Sequence, residues 1–490
     1  MKRIIYIPFD HLHRKFGALK GASVKEDLIV LVESERMRTG RNWHPERLYF
    51  MISAARHFAA DLQAEGFTVE YVKAPTTVDG LKEVTARHPG LPIVCAEPSS
   101  FRQDVALREF GVEFVPTDFF ATPRELFRSW AESQKNFLME NFYRKQRVRL
   151  NVLMDGDQPA GGSWNYDKDN RLPPPKKFEG PAYPHFELDE IDREVAAELG
   201  HTPTQVWSTT RAGALKQLKT FIAVHFAEFG PLEDAMTTDS WVLHHSLLSP
   251  YINIGLLHPS EVIGAAEKAY RAGKIPIESA EAFVRQIIGW REYVNGMYWF
   301  LGAEYRNKNE LKANRELLPL FNDPSATSMN CVGSIVKDID ERAWVHHIPR
   351  LMVLSNLALI AGVNPQEFLE WMRERFIDAS DWVMVPNVIG MGIHADGGMM
   401  MTKPYAAGGA YLSRMSNYCK PCKYDPKLRT GPEACPFTTL YWDFLDRHEE
   451  EFGKNHRMAQ QYFGLKRLSD REELKVRATE VLLGLEAGTI

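Results

Sequence analysis

The chain has 490 residues, of which 44% are hydrophobic and 25% are charged, a composition typical of folded globular protein and not of a disordered or fibrous chain. The formal net charge of -5 excludes bulk positive charge as a basis for nucleic-acid binding, so any contact with DNA has to use a local basic patch. No run of about 18 apolar residues and no signal-peptide pattern occurs, so we expect a cytoplasmic protein without a membrane anchor.

Short apolar runs alternate with helical periodicity in the N-terminal part of the chain. The runs have strand length and lie at residues 4–8, 28–32, 69–72, 93–96 and 112–115. Residues 45–65, between two of these runs, carry apolar side chains at helical spacing. This order predicts a parallel sheet with crossover helices, although no Gly-x-Gly-x-x-Gly fingerprint of dinucleotide binding follows the first strand.

The rest of the chain has a different pattern. Residues 155–205 are rich in Pro, Gly and Asp, which is typical of a connection that crosses the surface between domains. After residue 205 the apolar spacing is almost entirely helical, as in segments 214–228, 281–300, 344–361 and 365–376. We therefore predict an α/β domain over 1–135, an interdomain linker over 136–205 and a large all-α domain over 206–490.

Four of the five cysteines form the first chemical pattern. They are Cys331, the pair Cys419-Lys-Pro-Cys422, and Cys435, which precedes a proline. Zinc sites are commonly built from two Cys-x-x-Cys turns, whereas one such turn plus two separate cysteines suits a cubane [4Fe–4S] cluster with one thiolate per iron. Zinc and unliganded buried cysteines remain the alternatives. Cys95 lies in a predicted core strand and is interpreted as a small buried hydrophobe.

Polar residues on the predicted helices form the second pattern. Ser246 and Ser249, just before a proline, can offer hydroxyl and backbone N–H groups to a phosphate at a helix start, or can simply cap the helix. His346 and His347 are adjacent and cannot share one helix face, so one can face a pocket while the other packs in the core.

Longer motifs carry a resemblance to a known family. They lie at residues 245–257 (His-Ser-Leu-Leu-Ser-x-Tyr-Ile-Asn), 286–293 (Gln-Ile-Ile-Gly-Trp-Arg-Glu-Tyr), 346–352, 386–391, 395–398 and 402–407. Together they resemble the photolyase/cryptochrome superfamily, in particular the iron–sulfur bacterial cryptochromes and the prokaryotic (6-4) photolyases. The resemblance runs over nearly the whole chain, and the cysteines match the four cluster ligands of that branch in order and approximate spacing.

The resemblance implies a Rossmann-like antenna domain followed by a helical domain that binds FAD. The cofactor-binding residues it implies are Ser246, Leu247 and Ser249 at the phosphates, together with Gln286, and Arg350, Asp378 and Met384 beside the flavin ring. For catalysis it implies that His347 donates a proton to the lesion, with His346 as the second choice, and that Trp290 walls the cavity for the flipped bases.

Several positions depart from the family pattern. Met37 stands where a carboxylate for a lumazine-type antenna chromophore is expected, and Met384 stands where a glutamate is expected near flavin N5. Of the aromatic electron-transfer positions, Trp371 is kept, but Met372 follows it and Asn322-Asp323 replaces an aromatic pair. Trp344 and Trp382 are therefore candidates to substitute in electron transfer.

The expected function is light-dependent repair of (6-4) photoproducts in UV-damaged DNA by a monomer. Two other readings stay open: a blue-light-sensing cryptochrome, and a non-photochemical iron–sulfur DNA-processing protein, against which the lack of a Walker motif argues. The candidate DNA contacts are two basic clusters, Arg144, Lys145, Arg147 and Arg149, and Arg457, Lys466 and Arg467.

Overall fold

A computed structural model describes residues 1–490. Its main sheet has five parallel strands in the order β3-β2-β1-β4-β5. The strands are β1 (Arg3–Tyr6), β2 (Asp27–Ser34), β3 (Thr68–Ala74), β4 (Ile93–Ala96) and β5 (Glu113–Val115). The sheet and the helices that follow it confirm the predicted fold class, and each predicted apolar run overlaps one of the strands.

Both faces of the sheet are buried. Leu28 and Val30 point to one face and Ile29 and Leu31 to the other, and all four are fully buried. Helices have to cover both faces, as is usual for a parallel sheet. One face packs within its own small core, whereas the face that includes Ile29 belongs to a core shared with residues such as Trp207 and Tyr251 of the helical part.

Helices make up most of the remaining chain. Those up to residue 200 are α1 (Glu35–Thr39), α2 (Pro45–Ala64), α3 (Thr77–Arg87), α4 (Phe101–Phe110), α5 (Arg124–Glu132), α6 (Met139–Leu150) and α7 (Glu190–Leu199). Between α6 and α7 lies a small antiparallel pair, β6 (Met154–Asp155) and β7 (Gln158–Pro159).

The C-terminal part has no strand longer than an isolated bridge. Its helices are α8 (Arg211–Thr220), α9 (Phe226–Phe229), α10 (Ser249–Asn253), α11 (Pro259–Arg271), α12 (Ile277–Val284), α13 (Glu292–Leu301), α14 (Asn330–Arg342), α15 (Asn356–Ala361), α16 (Pro365–Arg375), α17 (Asp381–Val385), α18 (Gly409–Met415), α19 (Pro436–Arg447), α20 (Glu449–Phe452), α21 (Ala459–Lys466) and α22 (Arg471–Glu486). No helix of the chain combines the length and the apolar character that crossing a bilayer requires.

Four π-helical segments continue these helices. They are Phe221–His225, Arg285–Arg291, Pro349–Ser355 and Pro386–Gly392. A π-helical turn holds an extra residue and redirects the side chains that follow, and such turns are frequent at functional sites. Two of them carry residues singled out from the sequence, Gln286 and Trp290 on one and Arg350 on the other.

The stretch expected to be a linker is more structured than its composition suggests. In α6 the side chains of Phe142 and Tyr143 are fully buried, and the Tyr143 hydroxyl donates to Glu281 Oε1 at 2.8 Å. In α7, Val195 packs with Tyr49 and Ile52 of α2. A few apolar side chains are a weak sequence signal among the charged residues of α6 and next to the Pro and Gly residues near α7. The domain limits at 135 and 205 stay predictions.

Gly296 gives a direct test of the packing between α13 and α5. A Cβ atom at this position would overlap the ring of Phe127, which is 2% exposed. We expect Gly296→Ala to lower the free energy of unfolding by about 1–3 kcal/mol, measured by chemical denaturation, because the core has no room for the methyl group.

The matched control is Gly264→Ala in α11, where a Cβ atom would meet nothing within 4 Å. It should raise the free energy of unfolding by about 0.5–1 kcal/mol, since alanine loses less backbone entropy than glycine in a helix. Equal effects of the two substitutions would contradict the packing described.

Candidate functional site

An ion pair between Arg350 and Asp378 lies at the centre of the helical part. The guanidinium donates from Nη1 to Asp378 Oδ1 at 2.9 Å and from Nη2 to Oδ2 at 3.1 Å. Its Nε donates to the carbonyl of Val345 at 2.7 Å. The Ser249 hydroxyl donates to Asp378 Oδ2 at 2.6 Å, and Asn253 Nδ2 donates to the Asp378 carbonyl at 2.9 Å. A bidentate pair with these extra bonds has one fixed geometry.

The loop before α10 presents unused hydrogen-bond donors. Leu247 adopts a left-handed conformation with φ of 57°, and Leu248 after it is helical. The backbone N–H groups of Ser246 and Leu247 donate to no acceptor in the chain, while Gln217 Nε2 holds the carbonyl of Ser246 at 3.0 Å. Successive free N–H groups around a left-handed residue form a nest that suits an anion such as a phosphate. The Ser249 hydroxyl does not join this nest because it is bonded to Asp378.

The two adjacent histidines lie in different environments, as the sequence predicts. His346 is 5% exposed, and its ring stacks on that of His245 with centroids 4.1 Å apart. The side chain of His347 is 45% exposed and faces away from the core. Nitrogen atoms of the three rings lie within 4.8 Å of one another. Because two of the rings are parallel, their lone pairs do not converge on one metal ion.

Charged groups set the protonation of His347. Partial removal from water, together with the cations Arg350 and Arg285, lowers the pKa of His347 to about 4. Its Nε2 lies 3.8 Å from Oδ1 of Asp234. Burial, reinforced by the neighbouring Asp167, raises the pKa of Asp234 to about 6. An exposed imidazole beside a partly buried carboxyl is a suitable proton donor or acceptor.

Other acidic and aromatic residues surround this pair. Glu233 is 4% exposed, and burial raises its pKa to about 8. Its Oε1 accepts a hydrogen bond from Gln286 Nε2 at 2.6 Å, so the amide of Gln286 is already engaged. Burial and then the charge of Asp234 raise the pKa of Tyr411 to about 12. Sequence analysis missed Asp234, Glu233 and Tyr411, and no local motif distinguishes them.

The tryptophans of the predicted site occupy separate positions. Trp290 is partly buried on its π-helical turn, with its ring 6.1 Å from that of Tyr293. Trp344 donates from Nε1 to Ser249 Oγ at 3.4 Å and so joins the Arg350 and Asp378 group. Trp371 and Trp382 are buried elsewhere in the core, and Met372 and Met384 are buried as well.

The four cysteines gather from three parts of the chain. Cys331 lies in the first turn of α14, Cys435 caps α19, and Cys419 and Cys422 lie in the loop before it. Burial, and the proximity of the other three thiols, raise the pKa of Cys331 well above its ordinary value. No three of these sulfurs lie within 4.8 Å of one another. Tetrahedral zinc, with Zn–S of about 2.3 Å, needs sulfurs about 3.8 Å apart, so the four sulfurs are not arranged as a zinc tetrahedron. Cys95 is buried in β4.

One of the predicted basic contacts with DNA is wrong. Arg147 is fully buried and donates to the backbone carbonyls of Val152, Leu153 and Trp164. It closes the turn after α6 and cannot reach a phosphate. The other residues of the two clusters are exposed; they are Arg144, Lys145, Arg149, Arg457, Lys466 and Arg467.

Comparisons with known proteins find relatives over nearly the whole chain. A family model described as deoxyribodipyrimidine photo-lyase-related protein matches residues 5–210. A protein of Agrobacterium fabrum named (6-4) photolyase is 40% identical to the chain over 99% of its length and 100% of the relative's.

Two solved structures share the fold at low sequence identity. A bacterial class III photolyase from Agrobacterium tumefaciens has a TM-score of 0.58 and 16% identity, covering 95% of this chain and 98% of that one. A Synechocystis cryptochrome has a TM-score of 0.55 and 14% identity, covering 80% of this chain and 82% of that one.

Removing one partner of the Arg350 and Asp378 pair should have a large effect on the stability of the fold. We expect Asp378→Ala to lower the free energy of unfolding by about 3–5 kcal/mol, because it leaves the guanidinium of Arg350 without a counter-charge in a largely buried position. Asp378→Asn, which keeps the acceptor for Ser249 but not the charge, should lower it by less. Chemical denaturation measures both, and an Asp378→Ala variant as stable as the parent would contradict the role given to this pair.

Proposed function

This chain belongs to the family of deoxyribodipyrimidine photo-lyase-related proteins that includes the Agrobacterium (6-4) photolyase, and we propose that it repairs (6-4) photoproducts in DNA. The observation that carries the proposal is His347, an exposed imidazole 3.8 Å from the Asp234 carboxyl and adjacent to the Arg350 and Asp378 pair. A proton donor and an ion pair able to set the charge of a redox cofactor thus share one site. The full-length identity to a named (6-4) photolyase supports the same reaction.

The residues present fit FAD. The free N–H groups of Ser246 and Leu247 suit a phosphate of the cofactor, and Arg350 with Asp378 offers a cation and an anion to the flavin ring. When bound and reduced, FAD supplies one electron to the lesion after absorbing light. The protein's part is to hold Arg350 in one orientation, through Asp378 and Val345, and to exclude water from the buried side of the pair.

His347 provides the proton in this proposal. Its Nε2–H would donate a proton to the lesion oxygen that is transferred during repair. The carboxylate of Asp234 would stabilise the charged imidazole. In the free protein the pKa of about 4 leaves the ring mostly neutral at pH 7. Phosphates of bound DNA add negative charge near the ring, which raises the fraction that is protonated.

Trp290 and the exposed basic residues account for DNA binding. A damaged dinucleotide has to leave the duplex to reach His347, and the partly buried indole of Trp290 offers it an apolar face. Arg144, Lys145 and Arg149, with Arg457, Lys466 and Arg467, offer positive charge to the backbone phosphates, so affinity should fall with salt.

Cys331, Cys419, Cys422 and Cys435 hold a [4Fe–4S] cluster in this proposal. The fold brings these four thiols from distant parts of the chain close to one another, and their sulfurs are not arranged as a zinc tetrahedron. The cluster would tie α14 to the loop before α19. No antenna pigment is part of the proposal, because Met37 offers a lumazine ring no charge.

The cluster predicts about four iron and four sulfide per chain after anaerobic purification. Cys422→Ala should lower the iron content sharply and reduce solubility more than it changes the flavin spectrum, because the cluster holds distant segments together. Cys95→Ala, a buried cysteine outside the group, is the matched control and should keep the iron. Stoichiometric zinc without iron would refute the assignment.

The second prediction concerns His347. His347→Asn should abolish light-driven repair of an oligonucleotide with one (6-4) photoproduct, while FAD content and duplex affinity stay near those of the parent. His185→Asn, which changes a histidine whose side chain is 61% exposed, is the control and should repair normally. A light-sensing cryptochrome would show no repair even in the parent protein.

The same residue predicts a pH dependence. Since the pKa of His347 lies below neutral pH, the protonated fraction grows as the pH falls. Repair yield per absorbed photon should therefore rise between about pH 8 and pH 5.5 at constant FAD content. A yield that is flat or falls toward acid would show that His347 is not the donor, and His346 would be the next residue to test.

A further inference from the structure

A cavity of about 270 Å³ lies at the C-terminal end of helix α15. Neither Arg350 nor Asp378 lines it, and neither does His347. Ala361, which does line it, follows Arg350 along continuous helical chain, a separation of roughly 15 Å at 1.5 Å per residue. The cavity is therefore separate from the site described above. Its walls come from the loop 309–315, from the end of α15 and the start of α16, from residues 393 and 395, and from the end of α19.

All the charged side chains that line this cavity are cationic. They are Lys312, Arg315 and Arg447, and no carboxylate lines it. Burial and then the neighbouring cation Arg447 lower the pKa of Arg315, which shows that the two guanidinium groups lie close enough to repel each other. Like charges around one cavity attract an anion into it, because the anion relieves their repulsion.

Both guanidinium groups are held in place and keep an unused donor. Arg315 Nε and Arg447 Nη2 donate to successive backbone carbonyls at the end of α15, at 2.9 Å and 2.6 Å. Glu486 pairs with Arg315 and Asp443 with Arg447, but neither carboxylate lines the cavity. These bonds satisfy the end of the helix and use only part of each guanidinium. Nη2 of Arg315 and Nη1 of Arg447 donate to no acceptor in the chain.

His448 adds an unpartnered polar group to the same wall. It is 8% exposed, and its Nδ1 is buried without a hydrogen-bond partner, with Oε2 of Glu451 at 3.5 Å. Burial and then the cation Arg447 lower the pKa of this imidazole, so the ring is mostly neutral at pH 7. A buried polar atom without a partner is uncommon in folded proteins, and it leaves a place where a ligand can bond.

The remaining wall limits the size and the character of a ligand. Leu359 and Ile393 give it an apolar surface. The loop that carries Lys312 is closed by Asn309, whose amide donates to the carbonyl of Ala313 and accepts from its N–H, both at 2.9 Å. Pockets for drug-sized molecules begin at about 300 Å³, so the ligand of this cavity has to be smaller.

We propose that this cavity binds a small phosphate monoester. The phosphate would lie between Lys312, Arg315 and Arg447, and its apolar body would lie against Leu359 and Ile393. A dianion matches several cations with unused donors, and the planar guanidinium group suits phosphate oxygens better than it suits a halide ion. The proposal does not depend on the flavin or on the lesion.

The test is calorimetric titration of the full-length protein with phenyl phosphate at pH 7. We expect one saturable site per chain, at least tenfold tighter than for inorganic phosphate, which lacks the apolar body, and no binding of phenol, which lacks the charge. Lys312→Gln should weaken binding about threefold to fivefold, the worth of one exposed ion pair. Lys308→Gln is the matched control, since its ammonium pairs with Glu310 at 2.9 Å and does not line the cavity.

Ala313→Leu tests the position of the ligand without changing charge. Ala313 lines the cavity and is partly exposed, so a larger side chain there should fill the cavity and weaken binding at least tenfold. Chemical denaturation checks the fold of each variant first, and if Ala313→Leu does not fold, the exposed Lys312→Gln decides. Equal affinity for phenyl phosphate and inorganic phosphate, or parent-like affinity in the folded variants, would overturn the proposal. Weaker binding of an undamaged duplex by Lys312→Gln would also overturn it, because the cations would then belong to a DNA surface.

Discussion

A guanidinium and a carboxylate, Arg350 and Asp378, join the π-helical turn Pro349–Ser355 to the turn between α16 and α17, 28 residues apart in the chain. Taking two charges out of water is costly unless every remaining donor and acceptor is bonded. Here Ser249 donates to the carboxylate, Asn253 donates to the Asp378 backbone carbonyl, and the carbonyl of Val345 accepts from the guanidinium. Trp344 is attached to the same group through Ser249. The nest at Ser246 and Leu247, Trp344 and the histidines all lie near this pair, so the site is organised before any cofactor or DNA arrives.

Two of the π-helical turns carry residues of the site. Arg350 lies on the turn Pro349–Ser355, three residues after His347, and Trp290 lies on the turn Arg285–Arg291. An extra residue in a turn changes the direction in which the following side chains leave the helix. His346 and His347 precede that turn and leave the backbone in different directions, so His346 stacks in the core on His245 while His347 remains open to solvent beside Asp234. The two imidazoles therefore differ in exposure to solvent and in the groups beside them.

Much of the fold could be predicted from the sequence because it depends on local periodicity. Strand runs and helical spacing report which side chains are buried, and burial is what selects these elements. The motif around Ser246, the pair of histidines and the four cysteines could likewise be singled out as candidates, since their chemistry depends on residue type. The buried face of helix α6 was not predicted, because Phe142 and Tyr143 lie in a segment dominated by charged residues.

The sequence by itself determined the fold class and the kinds of residue in the site: a basic and an acidic partner, two histidines, tryptophans and four thiols. The tertiary structure alone decided which of them meet. Asp234 faces His347, Arg147 is buried, and Trp241 touches Trp344. These outcomes depend on contacts between segments far apart in the chain. Each such contact is a single event and not part of a repeating pattern, so the periodicity of the sequence does not reveal it.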